Sequence, residues 1–124
     1  MGAQNKVKSD NGVKILVNNG RTLSDIKMDF QQRYPFLKIE FFLSKRSNGV
    51  ARREKLADDY KLKSPVLINM ATDRSVADVK KDILEKFELI ALVYRKSGNV
   101  WVETSHTDHW PLEQQNSEGE QMNE

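Results

Sequence analysis

The chain has 124 residues, 38% hydrophobic and 31% charged, with a net charge of +2 and no cysteine. That is enough for one core, and it excludes a disulfide framework or a thiolate metal site. No uncharged apolar run approaches the ~18 residues that span a bilayer, and Met1-Gly2-Ala3-Gln4-Asn5-Lys6 lacks the apolar centre of a secretory signal, so a cytoplasmic location is expected.

Residues 1–12 are polar and read as a disordered tail ahead of a single domain at 13–116. Val13, Ile15 and Val17 alternate with polar or solvent-side positions, the pattern of a strand, and Asn19-Gly20 marks a turn. Thr22 is placed to cap a helix through the amide of Asp25, whose charge suits the first turn. Leu23, Ile26, Phe30 and Tyr34 follow at helical spacing, and Pro35 ends the helix. Leu37, Ile39, Phe41 and Leu43 alternate as a second strand. Residues 44–65 form a link in which Val50–Tyr60 is expected as a short helix, broken at Asn48-Gly49 and Ser64-Pro65. Val66, Ile68 and Met70 then form a strand face, Ser75 caps a helix with the stripe Val76, Val79, Ile83 and Phe87, and Ile90, Leu92 and Tyr94 continue as a strand. Gly98-Asn99 suits a two-residue hairpin that pairs Ser97 with Val100 and Lys96 with Trp101. Trp110-Pro111-Leu112 opens a short terminal helix, and residues 117–124 read as a disordered acidic tail.

The two halves repeat. Arg21-Thr22-Leu23-Ser24-Asp25-Ile26-Lys27-Met28-Asp29-Phe30 returns 53 positions later as Arg74-Ser75-Val76-Ala77-Asp78-Val79-Lys80-Lys81-Asp82-Ile83, with four of ten residues identical. The offset carries the apolar face of 13–43 onto 66–96, so Leu37, Ile39 and Phe41 map onto Ile90, Leu92 and Tyr94. Two β-α-β halves in one domain imply an α+β, ferredoxin-like two-layer sandwich, extended by the C-terminal hairpin strand and a short terminal helix. The alternative is a β-grasp-like fold, which wants a hairpin ahead of its main helix. Trp101 is expected on the helix-covered face, beside Tyr94 and Leu92.

No catalytic, cofactor-binding or metal-binding set is visible. His106 and His109 are three apart, not the i, i+4 of a helical metal site, and neither glycine-rich phosphate motif occurs. A non-enzymatic protein-interaction module is therefore expected. Its open sheet face, with Phe36, Phe42, Val93, Val100 and Val102, would be unusually apolar. That face or a sheet edge would support a homodimer or hold another protein partner. Charge offers the alternative. Residues 1–65 carry 14 Lys/Arg against 7 Asp/Glu, and residues 66–124 carry 6 against 11. Lys45, Arg46, Arg52, Arg53 and Lys55, in the basic link 45–63, could bind nucleic acid without reading its sequence. The expected aromatic platform of an RNA-binding sheet is missing from Val13–Asn18 and Val66–Met70.

Tyr94-Arg95-Lys96-Ser97-Gly98-Asn99-Val100-Trp101-Val102-Glu103-Thr104, followed by Thr107-Asp108 and Trp110-Pro111-Leu112-Glu113-Gln114-Gln115-Asn116, resembles the C-terminal signature of a family of small uncharacterised bacterial proteins. Leu37-Lys38-Ile39-Glu40-Phe41-Phe42 is similar to that family as well, and the likeness covers most of 13–116. It implies no activity or cofactor, but it singles out Arg95, Lys96, Asn99, Trp101, Glu103, Asp108 and Trp110. The candidate interaction residues are Phe42, Val93, Arg95, Lys96, Asn99, Trp101, Val102 and Trp110.

Overall fold

The structure is a computed structural model that describes residues 14–17, 21–62 and 66–122. The tail at 1–12, Val13, the Asn19-Gly20 turn and Ser64-Pro65 lie outside the described residues. In chain order the elements are β1 (Lys14–Val17), α1 (Leu23–Arg33), β2 (Leu37–Ser47), β3 (Val50–Lys55), β4 (Val66–Asn69), α2 (Val76–Phe87), β5 (Ile90–Ser97), β6 (Val100–Glu103) and α3 (Leu112–Met122). The protein is α+β, with a curled four-strand antiparallel sheet in the order β3-β2-β5-β6. Every strand pair is antiparallel.

A ferredoxin-like arrangement is not confirmed. Among the described residues, β1 and β4 pair with each other in a separate two-stranded ribbon, while the larger sheet is built from β2, β5 and their hairpin partners. Pairing between the halves therefore occurs twice, once in each sheet. Ile26 and Phe30 of α1, Val79 and Ile83 of α2, Ile39, Phe41 and Val93 of the sheet, and Ile68 of β4 meet in one core.

The basic link is not helical. Asn48 and Gly49 both have positive φ, 52° and 77°, as a type I′ turn requires. The chain accordingly doubles back into β3, opposite β2 from Phe42–Lys55 to Ser47–Val50. In the turn of the second hairpin Gly98 has positive φ, 61°, and the hairpin pairs Ser97 with Val100 and Lys96 with Trp101 as expected. The hairpin is thus part of the repeat.

So is the segment that follows it. Leu23 and Ser24 lie in the first turn of α1, where amides lack intrahelical partners. They donate to the carbonyls of Tyr60 and Asp58, both at 3.0 Å, and Leu62 N–H donates to Arg21 at 3.1 Å. In the second half Val76 and Ala77 donate to Trp110 and Asp108 at 3.3 and 2.9 Å, and Leu112 donates to Arg74 at 2.8 Å. Lys27 meets Asp58, and Lys80 meets Asp108, each at 2.6 Å. The caps repeat too. Thr22 and Asp25 form a reciprocal capping box, and the Ser75 hydroxyl accepts from Asp78 N–H at 3.1 Å. Arg21–Asp29 and Arg74–Asp82 close the same helix-to-loop tie at 2.7 and 2.6 Å. Asp29 and Asp82 are therefore both ion-paired.

The register of β5 differs from the sequence expectation by one residue. α1 leaves through Tyr34, Pro35 and Phe36 before Leu37. α2 stops at Glu88, whose left-handed backbone (φ 57°, ψ 31°) turns the chain at once, with its N–H on the Leu84 carbonyl. One residue fewer in this connection flips every later side chain to the other face. The core side of β5 is therefore Ala91 and Val93, preceded by buried Leu89. Ile90, Leu92 and Tyr94 take the opposite face. Leu37 corresponds to Leu89 across 52 positions, not 53.

α3 continues to Met122, so the acidic end expected as a tail from 117 is helical as far as that residue. Buried Gly119 permits its docking, since a Cβ there would lie 2.8 Å from the Phe36 Cβ.

Tyr34 ties α1 to the second half. It is 2% exposed, and its hydroxyl donates to the Met70 carbonyl at 2.6 Å. Burial pushes its pKa from the ordinary 10 up to about 12. Below pH 10 both folded and unfolded phenols are neutral; between pH 10 and 12 only the unfolded one ionises. Stability should therefore fall there by about 1.4 kcal/mol per pH unit from this group. Denaturant melts across this range should show that loss, and Tyr34→Phe should flatten it.

Candidate functional site

The three helices share one side of the four-strand sheet. Leu37, Ile39 and Phe41 pair with Arg95, Val93 and Ala91 on that side, and α3 docks on Phe36 and Arg95. The opposite face carries Lys38, Glu40 and Phe42 of β2, Leu92, Tyr94 and Lys96 of β5, and Trp101 and Glu103 of β6. The apolar stripes of α1 and α2 pack on the other side, but Lys27 of α1 reaches Glu40 at this face's margin, and Leu92 on it is buried.

Its centre is a group of cations and aromatic rings. Lys38 Nζ lies 5.3 Å from the ring centroids of both Tyr94 and Trp101, and Lys96 Nζ lies 5.9 Å from Trp101. The register explains this: Tyr94 is opposite Lys38, and Trp101 is opposite Lys96. Both rings are half-buried. Burial, then the neighbouring charges of Glu103 and Glu40, raise the Tyr94 pKa, while Arg53 opposes them. Glu40 sits where β3 has ended, and Lys27 and Lys55 approach it at 2.6 and 3.6 Å. Burial works against the charge of Lys27, but its contacts with Asp58 and Glu40 outweigh that and raise its pKa. The Ser105 hydroxyl donates to the Glu103 carboxylate.

The β2–β3 hairpin extends this face as an arm. Beyond Phe42, β2 has no partner on its β5 side among the described residues, and residues 44–46 and 48–55 are exposed. Pairing places Ser44, Arg53, Arg46 and Ala51 on the face that holds Tyr94, and Lys45 and Arg52 on the reverse. Lys45 is paired with Glu54 at 2.9 Å. Arg46, Arg52 and Arg53 form no ion pair among the described residues. The five candidate anion-binding residues are thus gathered on one ribbon, although on both of its faces.

The interaction residues expected from sequence fare differently. Phe42, Lys96 and Trp101 do share the open face. Trp101 is beside Tyr94 and Leu92 as expected, but on the side away from the α1 and α2 stripes. Val93 is 1% exposed in the core, the consequence of the one-residue shift. Arg95 also points to the helix side, where Nη1 donates to Gln115 Oε1 at 2.8 Å and the guanidinium lies 5.6 Å from the Trp110 ring. Trp110 therefore braces α2 and Arg95. Asn99 occupies the exposed hairpin turn. Val102, 45% exposed, faces the helix side at the sheet's edge. The expected apolar face is in fact cationic and aromatic. Lys38 and Tyr94 were not singled out from sequence as site residues; Lys38 opposite an aromatic becomes visible only once the β2–β5 register is known.

Among the described residues, no group of three His, Asp or Glu is placed to hold a metal, and no helix is long and apolar enough to cross a membrane. Asp108, between the two histidines, already accepts from Lys80 and Thr104 at 2.6 and 2.8 Å. A groove of about 300 Å³ beside α2 is lined by Ala77, Lys80, Lys81, Leu84, Ile90, Ala91 and Asp108, and its one carboxylate, Asp108, is the group already held by Lys80 and Thr104. Comparison of the chain with protein-family models, curated proteins and solved structures gives no match.

Gln115 tests the structural assignment of Arg95. It is fully buried and also donates to the Thr107 carbonyl and hydroxyl at 2.7 Å. Gln115→Leu strands the Arg95 guanidinium and two acceptors, so it should cost about 1–3 kcal/mol. Urea melts of the variant check the value.

Proposed function

We propose that this protein is a non-enzymatic nucleic-acid-binding module that uses the open sheet face and the β2–β3 arm. The observation that carries this reading is the arm: Arg46, Arg52 and Arg53 are exposed and lack acidic partners among the described residues, on a ribbon continuous with Lys38 and Lys96. An isolated two-stranded ribbon gains little stability from its own contacts, and clustered guanidinium groups repel. Phosphates relieve that repulsion and bind guanidinium bidentately. Phosphate contact of this kind is sequence-independent and releases counterions.

Fluorescence anisotropy with labelled oligonucleotides at 50–200 mM salt tests the proposal. Affinity should fall linearly on log axes with salt. Replacing Arg46, Arg52 and Arg53 together by Ala should weaken binding to every sequence and reduce the slope by about 2–3, roughly one for each lost phosphate contact. Binding no tighter than that of an unrelated protein of equal charge would reject the reading.

A second reading, self-association, is favoured by a different edge. β6 closes the sheet with Val100 and Val102 58% and 45% exposed, whereas the β3 edge carries the like charges that discourage strand pairing. Sedimentation of the wild type and Val102→Lys should then show a dimer that the lysine disrupts; a wild-type monomer at high concentration would remove this reading.

A further inference from the structure

Resting on the nucleic-acid reading, we infer that the ligand is single-stranded and that two of its bases stack on Tyr94 and Trp101. The rings lie on adjacent strands, β5 and β6, on the sheet face opposite the apolar stripes of α1 and α2. They are diagonal neighbours, because Tyr94 is opposite Glu103 and Lys96 is opposite Trp101. Diagonal positions across an antiparallel pair are about 7–8 Å apart, so two rings can serve two successive bases rather than one. Sheet faces with aromatic residues on neighbouring strands hold unstacked bases in this way. A duplex offers no free base faces, and its curved backbone would meet the arm but not both rings.

The cations around the rings fit the same ligand. Lys38 lies over both rings at 5.3 Å, and Lys96 lies over Trp101. These ammonium groups sit on flexible stems. In the free protein Lys38 covers the aromatic faces. When bases arrive it swings aside to a phosphate, so one side chain first shields the platform and then holds the backbone. Arg53 and Arg46, farther along the same face, continue the phosphate track onto the arm. Single strands bind along such grooves by joining stacking to backbone charge, with little regard to sequence. Glu40 is offset by Lys27 and Lys55, whereas Glu103, held by the neutral Ser105 hydroxyl, keeps its charge at the rim of the platform.

The test uses the full chain carrying Trp110→Phe, so that Trp101 is the only tryptophan. Oligo(dT) and oligo(U) should quench its fluorescence on binding, and a blunt DNA duplex of equal phosphate count should not. Trp101→Leu and Tyr94→Leu should each weaken single-strand binding about tenfold or more, the size of one lost base stack, while leaving duplex binding unchanged. Two different leucine variants guard against a local folding defect in either, and circular dichroism checks both. Equal loss on single strand and duplex, or binding without quenching, overturns the stacking inference while leaving phosphate binding intact. Failure to bind either nucleic acid at 50 mM salt overturns both. Tighter binding of oligo(U) than of oligo(dT) would assign the ribose hydroxyl a contact and support the inference equally.

Discussion

The left-handed backbone of Glu88 fixes the rest of the arrangement. It ends α2 and starts β5 one residue earlier than the corresponding exit from α1. Because side chains alternate along a strand, that residue decides that Leu89, Ala91 and Val93 join the main core cluster and that Leu92, itself buried, lies with Tyr94 and Lys96 on the opposite face. A non-glycine residue pays roughly 1–2 kcal/mol for such a conformation. The gain is a core side of small and branched residues against β2, and an opposite face on which Tyr94 meets Lys38. A tyrosine on the core side at the place of Val93 or Arg95 would have to displace Phe30, Ile39 or α3.

Repetition organises the second level of the structure. Each half caps its helix with a hydroxyl, ties the cap loop to the helix by Arg and Asp, makes a hairpin, and returns to satisfy the first amides of its own helix. The ion pairs among these contacts are individually worth at most about 1 kcal/mol. The returning backbone matters more, because a buried amide without an acceptor costs about 1–3 kcal/mol. The halves differ mainly in what comes after the brace: Leu62 leads into β4, whereas Leu112 opens α3. α3 covers the end of the sheet that holds Arg95, and Gln115 makes that guanidinium part of the interior.

Much of this was legible in the residues. The stripes of α1 and α2, Thr22 and Ser75 as caps, and the Gly98-Asn99 hairpin register all follow from local chemistry. The sheet order did not, since pairing between β1 and β4 and between β2 and β5 depends on contacts far apart in sequence. The second hairpin was hidden by charge: Val50–Lys55 has no alternating apolar face, and only Asn48-Gly49 marked its turn. The repeat itself misled at β5, because a constant offset cannot register a residue lost in a loop. That slip exchanged the two faces of β5, so Val93 looked like surface and Tyr94 looked like core. The arm's five cations were evident from sequence, but their connection to an aromatic platform was not.

The proposed binding face exists only if Tyr94 lies on the side of the sheet away from the α1 and α2 stripes. Nuclear Overhauser contacts from the Tyr94 ring protons measure this directly in solution. The register described here predicts contacts to Lys38 side-chain protons and to the Trp101 ring, with none to the methyl groups of Val79 or Ile83. Contacts from Tyr94 to those methyl groups, with Val93 exposed to solvent, would contradict it and dissolve the proposed binding face.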